Sequence, residues 1–329
     1  MVNYNLSEKF YRSPLSIHNS QLLKMQLEIH VKSDVGRVRR GNEDNFLLLN
    51  LESARFEVGG GSEVSASFPA VELHDAGIVL AVSDGMGGAL AGEVASQMAV
   101  ETVRDVLLGQ DPEITLEPEG SDKPLLPRLH EAALHANRAV FHKGRSDAQF
   151  NGMGATFTAA AITFQATDFL QIGDSRAYVV RNNQIEQITK DQSLVQQLID
   201  TNQIAPEDAE RHHLKNVILQ ALGAQSEVAP TGGRFEPHRN DVLLLCSDGL
   251  SNKLAKSDLL EIVKKNIDDL GAACAELVSE ANARGGEDNI TVILAKFRGD
   301  DLPEAQISEE IKVLPIALDG FETEDKFLL

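Results

Sequence analysis

The stretch Val79-Leu80-Ala81-Val82-Ser83-Asp84-Gly85-Met86-Gly87-Gly88 is a short apolar run that ends in a carboxylate and three glycines. An apolar run of this length, bounded by glycine, is typical of a β-strand that is buried on both faces. Asp84 then stands at the rim of a dry sheet, and the glycines let the backbone approach a small ligand closely. This environment favours a cation, although a lone Asp-Gly is also an ordinary turn sequence, so the interpretation depends on recurrence.

The pattern does recur elsewhere in the chain. A second apolar run, Val242–Cys246, is followed by Ser247-Asp248-Gly249. Two further runs have acids in front of them instead, in Asn42-Glu43-Asp44 and in Glu287-Asp288-Asn289. Two strands thus end in an acid and two begin after one. If the two kinds alternate in an antiparallel sheet, all of these acids fall on one edge of that sheet. The sequence therefore predicts a single carboxylate cluster.

Such a cluster needs a neutralising partner. Like charges a few ångströms apart repel by several kcal/mol at an effective dielectric of about 20, so either protons or divalent cations must be present. The candidate ligands are carboxylates and a backbone carbonyl, with no His or Cys among them, which favours Mg²⁺ or Mn²⁺ over Zn²⁺.

Length and composition limit the classes of function. The 329 residues allow one large domain or two ordinary ones. The net charge of −20 argues against nucleic acid or an anionic membrane as a partner. No run approaches the roughly 18 apolar residues of a membrane span, and the first residues lack a secretory apolar segment, so we expect a cytoplasmic protein. We interpret Cys246 and Cys274 as small buried apolar residues.

The chain divides into three parts by composition. We expect residues 1–24 to be an N-terminal extension, residues 25–298 to form the main folded domain, and residues 299–329 to be an acidic, disordered C-terminal tail. Within the domain, residues 51–76 are rich in Gly, Ser and Glu and predict a long surface loop. Residues 192–222 predict a helical insertion.

The remaining patterns favour antiparallel strands. Leu27–Val31 alternate between apolar and polar residues, as in a half-buried strand. Phe169–Val180 predict two strands joined by a tight turn at Gly173-Asp174-Ser175. This excludes a doubly wound parallel fold. Arg39 belongs to a basic loop that runs straight into the acids at residues 42–44, and an arginine beside a metal cluster suits phosphate.

Two other phosphate chemistries are excluded by single residues. Gly87–Gly92 have the glycine spacing of a P-loop, but Glu93 stands where the phosphate-binding lysine must be. Cys246 ends an apolar strand, but Asn252 replaces the arginine that a cysteine phosphatase would need.

From about Leu27 to Phe297 the chain resembles the metal-dependent protein phosphatases, the protein phosphatase 2C-like family, and within it the bacterial branch. Six motifs carry the resemblance in the family's order: Arg39-Arg40-Gly41-Asn42-Glu43-Asp44, Asp84-Gly85-Met86-Gly87-Gly88, Gly152-Met153-Gly154-Ala155-Thr156, Gly173-Asp174-Ser175-Arg176, Ser247-Asp248-Gly249-Leu250 and Glu287-Asp288-Asn289-Ile290-Thr291.

The resemblance implies an α+β fold, a four-layer α/β/β/α sandwich of two antiparallel sheets flanked by helices. It implies hydrolysis of phosphoserine and phosphothreonine by a water activated between two Mn²⁺ or Mg²⁺ ions. The partners would be phosphorylated proteins and an opposing serine/threonine kinase. Two rivals stay open: a catalytically weak regulatory module that binds phosphoproteins on the same fold, and a metal-dependent phosphodiesterase or nuclease.

The resemblance also assigns roles to residues. Asp84 would bridge both ions, Asp248 and Asp288 would bind one ion, and the Gly85 carbonyl would bind the other. Glu43 and Asp44 would act through bound waters. Arg39 would grip the phosphate and, with Asp84, serve catalysis.

A third ion is found in bacterial members, and Asp191 matches one of its ligands. The second ligand would precede Gly152, where Asp147 is the nearest acid. Met86 and Ala89 stand where relatives carry a histidine that acts as the general acid, so protonation of the leaving group has no obvious side-chain donor.

Overall fold

The structure is a computed structural model, and it describes residues 25–111, 123–306 and 309–318. The predicted extension 1–24 lies outside the described residues. Among the residues described, no helix combines the length and the apolar character needed to cross a bilayer.

The strands and helices are as follows. The strands, in chain order, are β1 (Gln26–Asp34), β2 (Asp44–Asn50), β3 (Arg55–Gly59), β4 (Glu63–Glu72), β5 (Ile78–Met86), β6 (Gly154–Ala155), β7 (Phe157–Ile162), β8 (Thr167–Ile172), β9 (Arg176–Arg181), β10 (Gln184–Gln187), β11 (Thr231–Phe235), β12 (Val242–Cys246), β13 (Ile290–Arg298) and β14 (Val313–Ile316). The helices are α1 (Ala89–Leu107), α2 (Leu125–Ser146), α3 (Leu194–Asp200), α4 (Asp248–Ser251), α5 (Lys256–Lys265) and α6 (Leu270–Ala283), with 3₁₀ turns at Ala148–Phe150 and Pro206–Arg211.

Two antiparallel sheets pack face to face. The first has the strand order β10-β9-β12-β13-β1-β4, and the second has the order β14-β11-β8-β7-β5-β2-β3, with β6 paired to β5. Helices α1 and α2 cover the outer face of the second sheet, while α5 and α6 cover the first. The predicted α+β sandwich of two antiparallel sheets with flanking helices is confirmed.

The four layers explain why residues 78–82 of β5 are all apolar. Leu80 and Val82 point into the core between the sheets, whereas Val79 and Ala81 point into the core under α1 and α2. All four side chains are fully buried. A strand segment that is buried on both faces has no place for a charged side chain, and the first charged residue of β5 is Asp84, near the end of the strand.

The prediction of a surface loop over residues 51–76 is wrong. This segment forms β3 and β4, which pair with β2 and β1 at the edges of different sheets. Edge strands are half exposed and carry polar residues, so their composition resembles that of a loop. The glycines at residues 59–61 join one sheet to the other.

The prediction of a tight hairpin turn at Gly173-Asp174-Ser175 is also wrong. Strands β8 and β9 do form, but β8 pairs with β7 and β11 in the second sheet, and β9 pairs with β10 and β12 in the first. The three residues therefore cross between the sheets. The local pattern was right about the strands, but it carries no information about their partners.

The expectation of a disordered tail after Arg298 is wrong for part of that segment. Strand β14 adds to the free edge of β11, with Ile316 opposite Gly232. Leu302 and Leu318 are both buried in the cores. The apolar residues of this short strand could not be recognised in the sequence, because the residues around them are acidic.

Candidate active site

The acids that the sequence places at strand ends meet at one edge of the sandwich. Asp44, at the start of β2, lies directly opposite Asp84, near the end of β5, in the pairing register. The backbone at Asp84 is held on its other side by Thr156, whose hydroxyl accepts from Asp84 N at 2.9 Å and whose N–H donates to Asp84 O at 2.8 Å.

The first sheet supplies the second pair of acids. Asp248 begins α4 two residues beyond the end of β12, and Asp288 stands two residues before β13, the neighbouring strand. Gly249 is required between them, because a Cβ at this position would collide with the Asn289 carbonyl. Any larger residue there would push the two acids apart.

Asp44 links the two sheets at this edge. Its Oδ2 accepts hydrogen bonds of 2.7 Å from Ser247 Oγ and from Thr291 Oγ1, both of which belong to the first sheet. The carboxylate itself comes from the second sheet. The bonds therefore fix the distance between the two pairs of acids.

Glu43 and Gly85 complete the set at the start of α1. Gly85 N donates to Glu43 O at 3.1 Å. A Cβ on Gly85 would collide with the Gly92 carbonyl, and a Cβ on Gly92 would collide with the Glu43 carboxylate. Because both residues are glycine, the first turn of α1, the Gly85 backbone and the Glu43 side chain can pack against one another.

Arg39 lies at the rim of the cluster. Its Nη2 donates a 2.8 Å hydrogen bond to Asp288 Oδ2, and nearly half of the Arg39 side chain is exposed. Burial disfavours its charge, but Asp288 beside it outweighs that effect and raises the pKa of Arg39. The guanidinium is therefore a permanent cation that can reach both solvent and the cluster.

Burial and mutual repulsion make the cluster reluctant to ionise. Burial raises the pKa of Asp44 to about 7, against the two hydroxyl bonds that lower it. Part of Asp84 reaches solvent, but its carboxyl is surrounded by protein, and burial followed by the charge of Asp44 raises its pKa well above the usual range. Burial also raises the pKa of Asp248, with Asp288 as the next cause, and that of Glu43.

Two carboxylate oxygens in the cluster fit a cation ligand. Asp44 Oδ1 and Asp248 Oδ1 are buried and accept no hydrogen bond from any described residue. Buried oxygens without donors are costly, and a divalent cation satisfies them. The donor set consists of oxygen atoms alone, which suits Mg²⁺ or Mn²⁺.

The carboxylates of the cluster do not converge tightly on one position. Among the described residues, no three His, Cys, Asp or Glu side chains form a ready-made metal-ligand group. Asp248 Oδ2 accepts from Asn252 Nδ2 at 3.0 Å, and Asp288 Oδ2 is occupied by Arg39. Repelling carboxylates turn to the nearest donors, and an ion would compete with those donors.

Asp191 and Asp147, the candidates for a third ion, are not brought together by any contact in the structure. Asp191 accepts a bidentate ion pair from Arg176, at 2.6 Å to 3.0 Å, and a bond from Gln187. Its charge is thus already balanced. Asp147 caps the 3₁₀ turn Ala148–Phe150, pairs with Lys143 and is half-buried.

Asp174 is a neighbour of the cluster that sequence reasoning missed as a site residue. The crossing at residues 173–175 carries it to the acidic edge, where burial and then Asp248 and Asp191 raise its pKa to about 7. The signal in the sequence was an acid between two strands, but a hairpin turn explained that acid equally well. Asp174 therefore adds a further carboxylate to the surroundings of Asp248.

Comparison with known proteins agrees with this geometry. A family model described as protein phosphatase 2C matches residues 67–284. The serine/threonine phosphatase stp of Listeria welshimeri is 34% identical over 265 residues, which cover 80% of this chain and 94% of that protein. The crystal structure of the Mycobacterium tuberculosis serine/threonine phosphatase PstP/Ppp has a TM-score of 0.66 and 32% identity, covering 83% of this chain and 99% of that one.

A further structure is that of the PstP catalytic domain in complex with two manganese ions, with a TM-score of 0.63 and 30% identity over 83% of this chain and 99% of that one. The family model covers more than half of the chain, and the Listeria relative aligns over 80% of it. The chain belongs to the protein phosphatase 2C family. Its enzyme class is that of the relatives it matches, the serine/threonine phosphatases.

Proposed function

We propose that this chain hydrolyses phosphoserine and phosphothreonine in proteins with the help of two Mn²⁺ or Mg²⁺ ions. The observation that carries the proposal is the meeting of four carboxylates from both sheets at one edge. Two of them have buried oxygens that lack a donor among the residues that the structure describes. The manganese ions in the structure of the PstP catalytic domain support the choice of metal.

The ion ligands in this proposal are Asp84, Asp248, Asp288 and the Gly85 carbonyl, with Glu43 and Asp44 acting through waters. When bound, the ions supply the positive charge that stabilises the phosphoryl oxygens and makes a water a better nucleophile. Arg39 and Asp84 are the proposed catalytic residues. A third ion would have to use Asp174, or would have to displace Arg176 from Asp191.

The residues of the chain have their own tasks. Arg39 is exposed and held by a single carboxylate, so its planar fork can exchange Asp288 for two phosphoryl oxygens. The free Oδ1 of Asp44 is a buried acceptor that can orient a water by taking one of its hydrogen bonds. Its other oxygen is fixed by Ser247 and Thr291, so the acceptor cannot turn away.

The rival functions are less well supported. A regulatory module that only binds phosphoproteins has no need of a full set of metal carboxylates, and all of the proposed ones are present here. A nuclease would have to attract a polyanion to a chain of net charge −20. The two cysteines are free and buried, which is consistent with the proposed cytoplasmic location opposite a serine/threonine kinase.

The proposal is tested by comparing a phosphothreonine peptide, bis-p-nitrophenyl phosphate and DNA as substrates, each with Mn²⁺ and with EDTA. We expect turnover of the peptide only, and only with Mn²⁺. Cleavage of the diester or of DNA at a similar rate would favour the nuclease. Binding of the peptide without turnover would favour the regulatory module.

A further inference from the structure

The loop of residues 35–41, between β1 and β2, carries three arginines beside the proposed phosphate position. Arg37, Val38, Arg39 and Arg40 are all exposed. Arg39 is bound to Asp288, as described above. The guanidinium groups of Arg37 and Arg40, by contrast, have no ion pair and no hydrogen bond with any residue that the structure describes.

The loop is held in place at its base, so its tip is presented in a defined position. The Asn289 side chain holds both ends of the loop, because its Nδ2 donates to Val35 O at 2.9 Å and to Gly41 O at 3.0 Å. Arg37 N donates to Gly286 O at 2.7 Å. Gly36 has a φ of +82°, and a Cβ there would collide with the Asp288 carbonyl. The arginines therefore project from a loop clamped directly onto the metal-site segment.

Unpaired arginines are unexpected on this surface. The chain has 50 acidic and 30 basic residues, so acidic partners are abundant. The negative charge of the whole protein repels an acidic substrate, and two free guanidinium groups beside the phosphate position reverse that repulsion locally. Such an arrangement suits a substrate that carries more than one negative group.

We infer that Arg37 and Arg40 recognise a second anionic group, a phosphoryl or a carboxylate, on the same protein segment as the phosphoresidue being hydrolysed. This rests on the proposed function, since it places the phosphoresidue at Arg39. The chain geometry sets the range: the Cα of Arg37 lies within about 7 Å of that of Arg39, and the Cα of Arg40 within about 4 Å. An extended peptide advances about 3.3 Å per residue, so the second anion lies within about three residues of the phosphoresidue.

The test uses one phosphothreonine peptide with serine, aspartate or phosphoserine placed two residues away on either side. Hydrolysis is followed at the phosphothreonine alone, because phosphoserine is itself a proposed substrate. The enzymes are the full chain, Arg37→Gln, Arg40→Gln and the double variant. Glutamine keeps the stem of the side chain that packs on Gly286. Arg55→Gln is the matched control, because Arg55 is exposed and lies opposite Asn50, at the end of β2 remote from Asp44.

We expect the unmodified enzyme to have a kcat/KM about threefold to tenfold higher for the anionic peptides than for the serine peptide, mainly through KM. The double variant should lose this preference, while its Tm and its turnover of p-nitrophenyl phosphate stay unchanged. The preference should also decline as salt is added. A gain with phosphoserine alone assigns the site to phosphoryl groups, and a gain with both assigns it to anions in general.

A preference that survives in the double variant, or that is absent from the unmodified enzyme, would overturn the inference. The same outcome follows if Arg55→Gln removes the preference as strongly as the double variant does. Failure of the proposed function looks different, because the unmodified enzyme would then not hydrolyse p-nitrophenyl phosphate or any of the peptides with Mn²⁺.

Discussion

The Ser247 hydroxyl donates a 2.7 Å hydrogen bond to Asp44 Oδ2, although the two residues are 203 positions apart in the chain. Ser247 follows the central strand β12 of the first sheet, and Asp44 begins β2 of the second. The bond therefore joins the sheets at the carboxylate cluster, and it acts on a carboxylate that has one other hydroxyl donor, Thr291.

Ser247→Ala should lower the free energy of unfolding by about 1–3 kcal/mol, because a buried carboxylate loses a donor. The loss should be greatest above pH 7, where Asp44 is ionised in the folded protein. Urea denaturation on either side of this pH measures the effect. Ser251→Ala is the control, since the buried Ser251 hydroxyl has no hydrogen-bond partner in the described part of the chain and its removal should cost nothing. Equal losses in the two variants would contradict the role of the bond.

Asp84→Asn and Asp248→Asn should each reduce Mn²⁺-dependent turnover of p-nitrophenyl phosphate by at least about 100-fold, because each removes a proposed ion ligand. The metal-free variants should be as stable as the unmodified chain or more so, since one of several repelling carboxylates is gone. Asp268→Asn serves as the control, because the side chain of Asp268 is 97% exposed. Activity retained in either site variant would refute the two-ion assignment.

Arg39→Ala should raise the KM for p-nitrophenyl phosphate about tenfold, with a smaller change in kcat, because the guanidinium contributes mainly to holding the phosphate. Steady-state kinetics at saturating Mn²⁺ separate the two parameters. An unchanged KM would remove Arg39 from the phosphate site.

The stability of the metal-free protein should depend on pH in an unusual direction. The pKa values of Asp44 and Asp174 are raised from an ordinary 3.8 to about 7. Between these values the folded state holds protons that the unfolded state has released, so the contribution of the two groups falls as pH rises from about 4 to 7. Bound ions replace those protons, so Mn²⁺ should stabilise the protein more at the upper end of the window.

Melting curves in EDTA and in Mn²⁺ across this window test the prediction. Asp174→Asn should show a shallower dependence than the unmodified chain in EDTA, because one of the two groups has been removed. A dependence that Asp174→Asn leaves unaltered would show that Asp174 does not take part.

Strand β14 should contribute to stability mainly because it brings Leu318, two residues after its end, into the core. Leu318 is 3% exposed and packs in the core under the helices, whereas Leu314 is 51% exposed. Leu318→Ala should cost about 2–5 kcal/mol, and Leu314→Ala less than about 0.5 kcal/mol. Chemical denaturation of the two variants provides the comparison. Similar small losses in both would mean that β14 is not part of the folded unit.

Several features of the fold could be predicted from local sequence. The apolar runs at Val79–Val82 and Val242–Cys246 predicted buried central strands, and the alternation at Leu27–Val31 predicted a half-buried one. All three are confirmed. The acids at the strand ends predicted a cluster because an antiparallel arrangement leaves no other edge for them.

Other features could not be read in this way. Strands β3 and β4 looked like a loop because edge strands are polar, and β14 was hidden in an acidic segment. The ion pair between Arg176 and Asp191 involves residues 15 positions apart, and no local pattern says that it will form. The same is true of Arg37 and Arg40, whose lack of partners among the described residues is a property of the assembled surface.

The sequence by itself determined which residues enter the core and which acids stand at strand ends. The reason is that the pattern of apolar residues and the glycines at strand ends are both local signals, which extend over a few residues of chain. The tertiary structure alone decided that Gly173-Asp174-Ser175 crosses between sheets, that Ser247 and Thr291 hold Asp44, and that Asp191 is neutralised by Arg176. Those outcomes depend on which distant segments pack together, and that choice is made by the free energy of the whole sandwich rather than by any one segment.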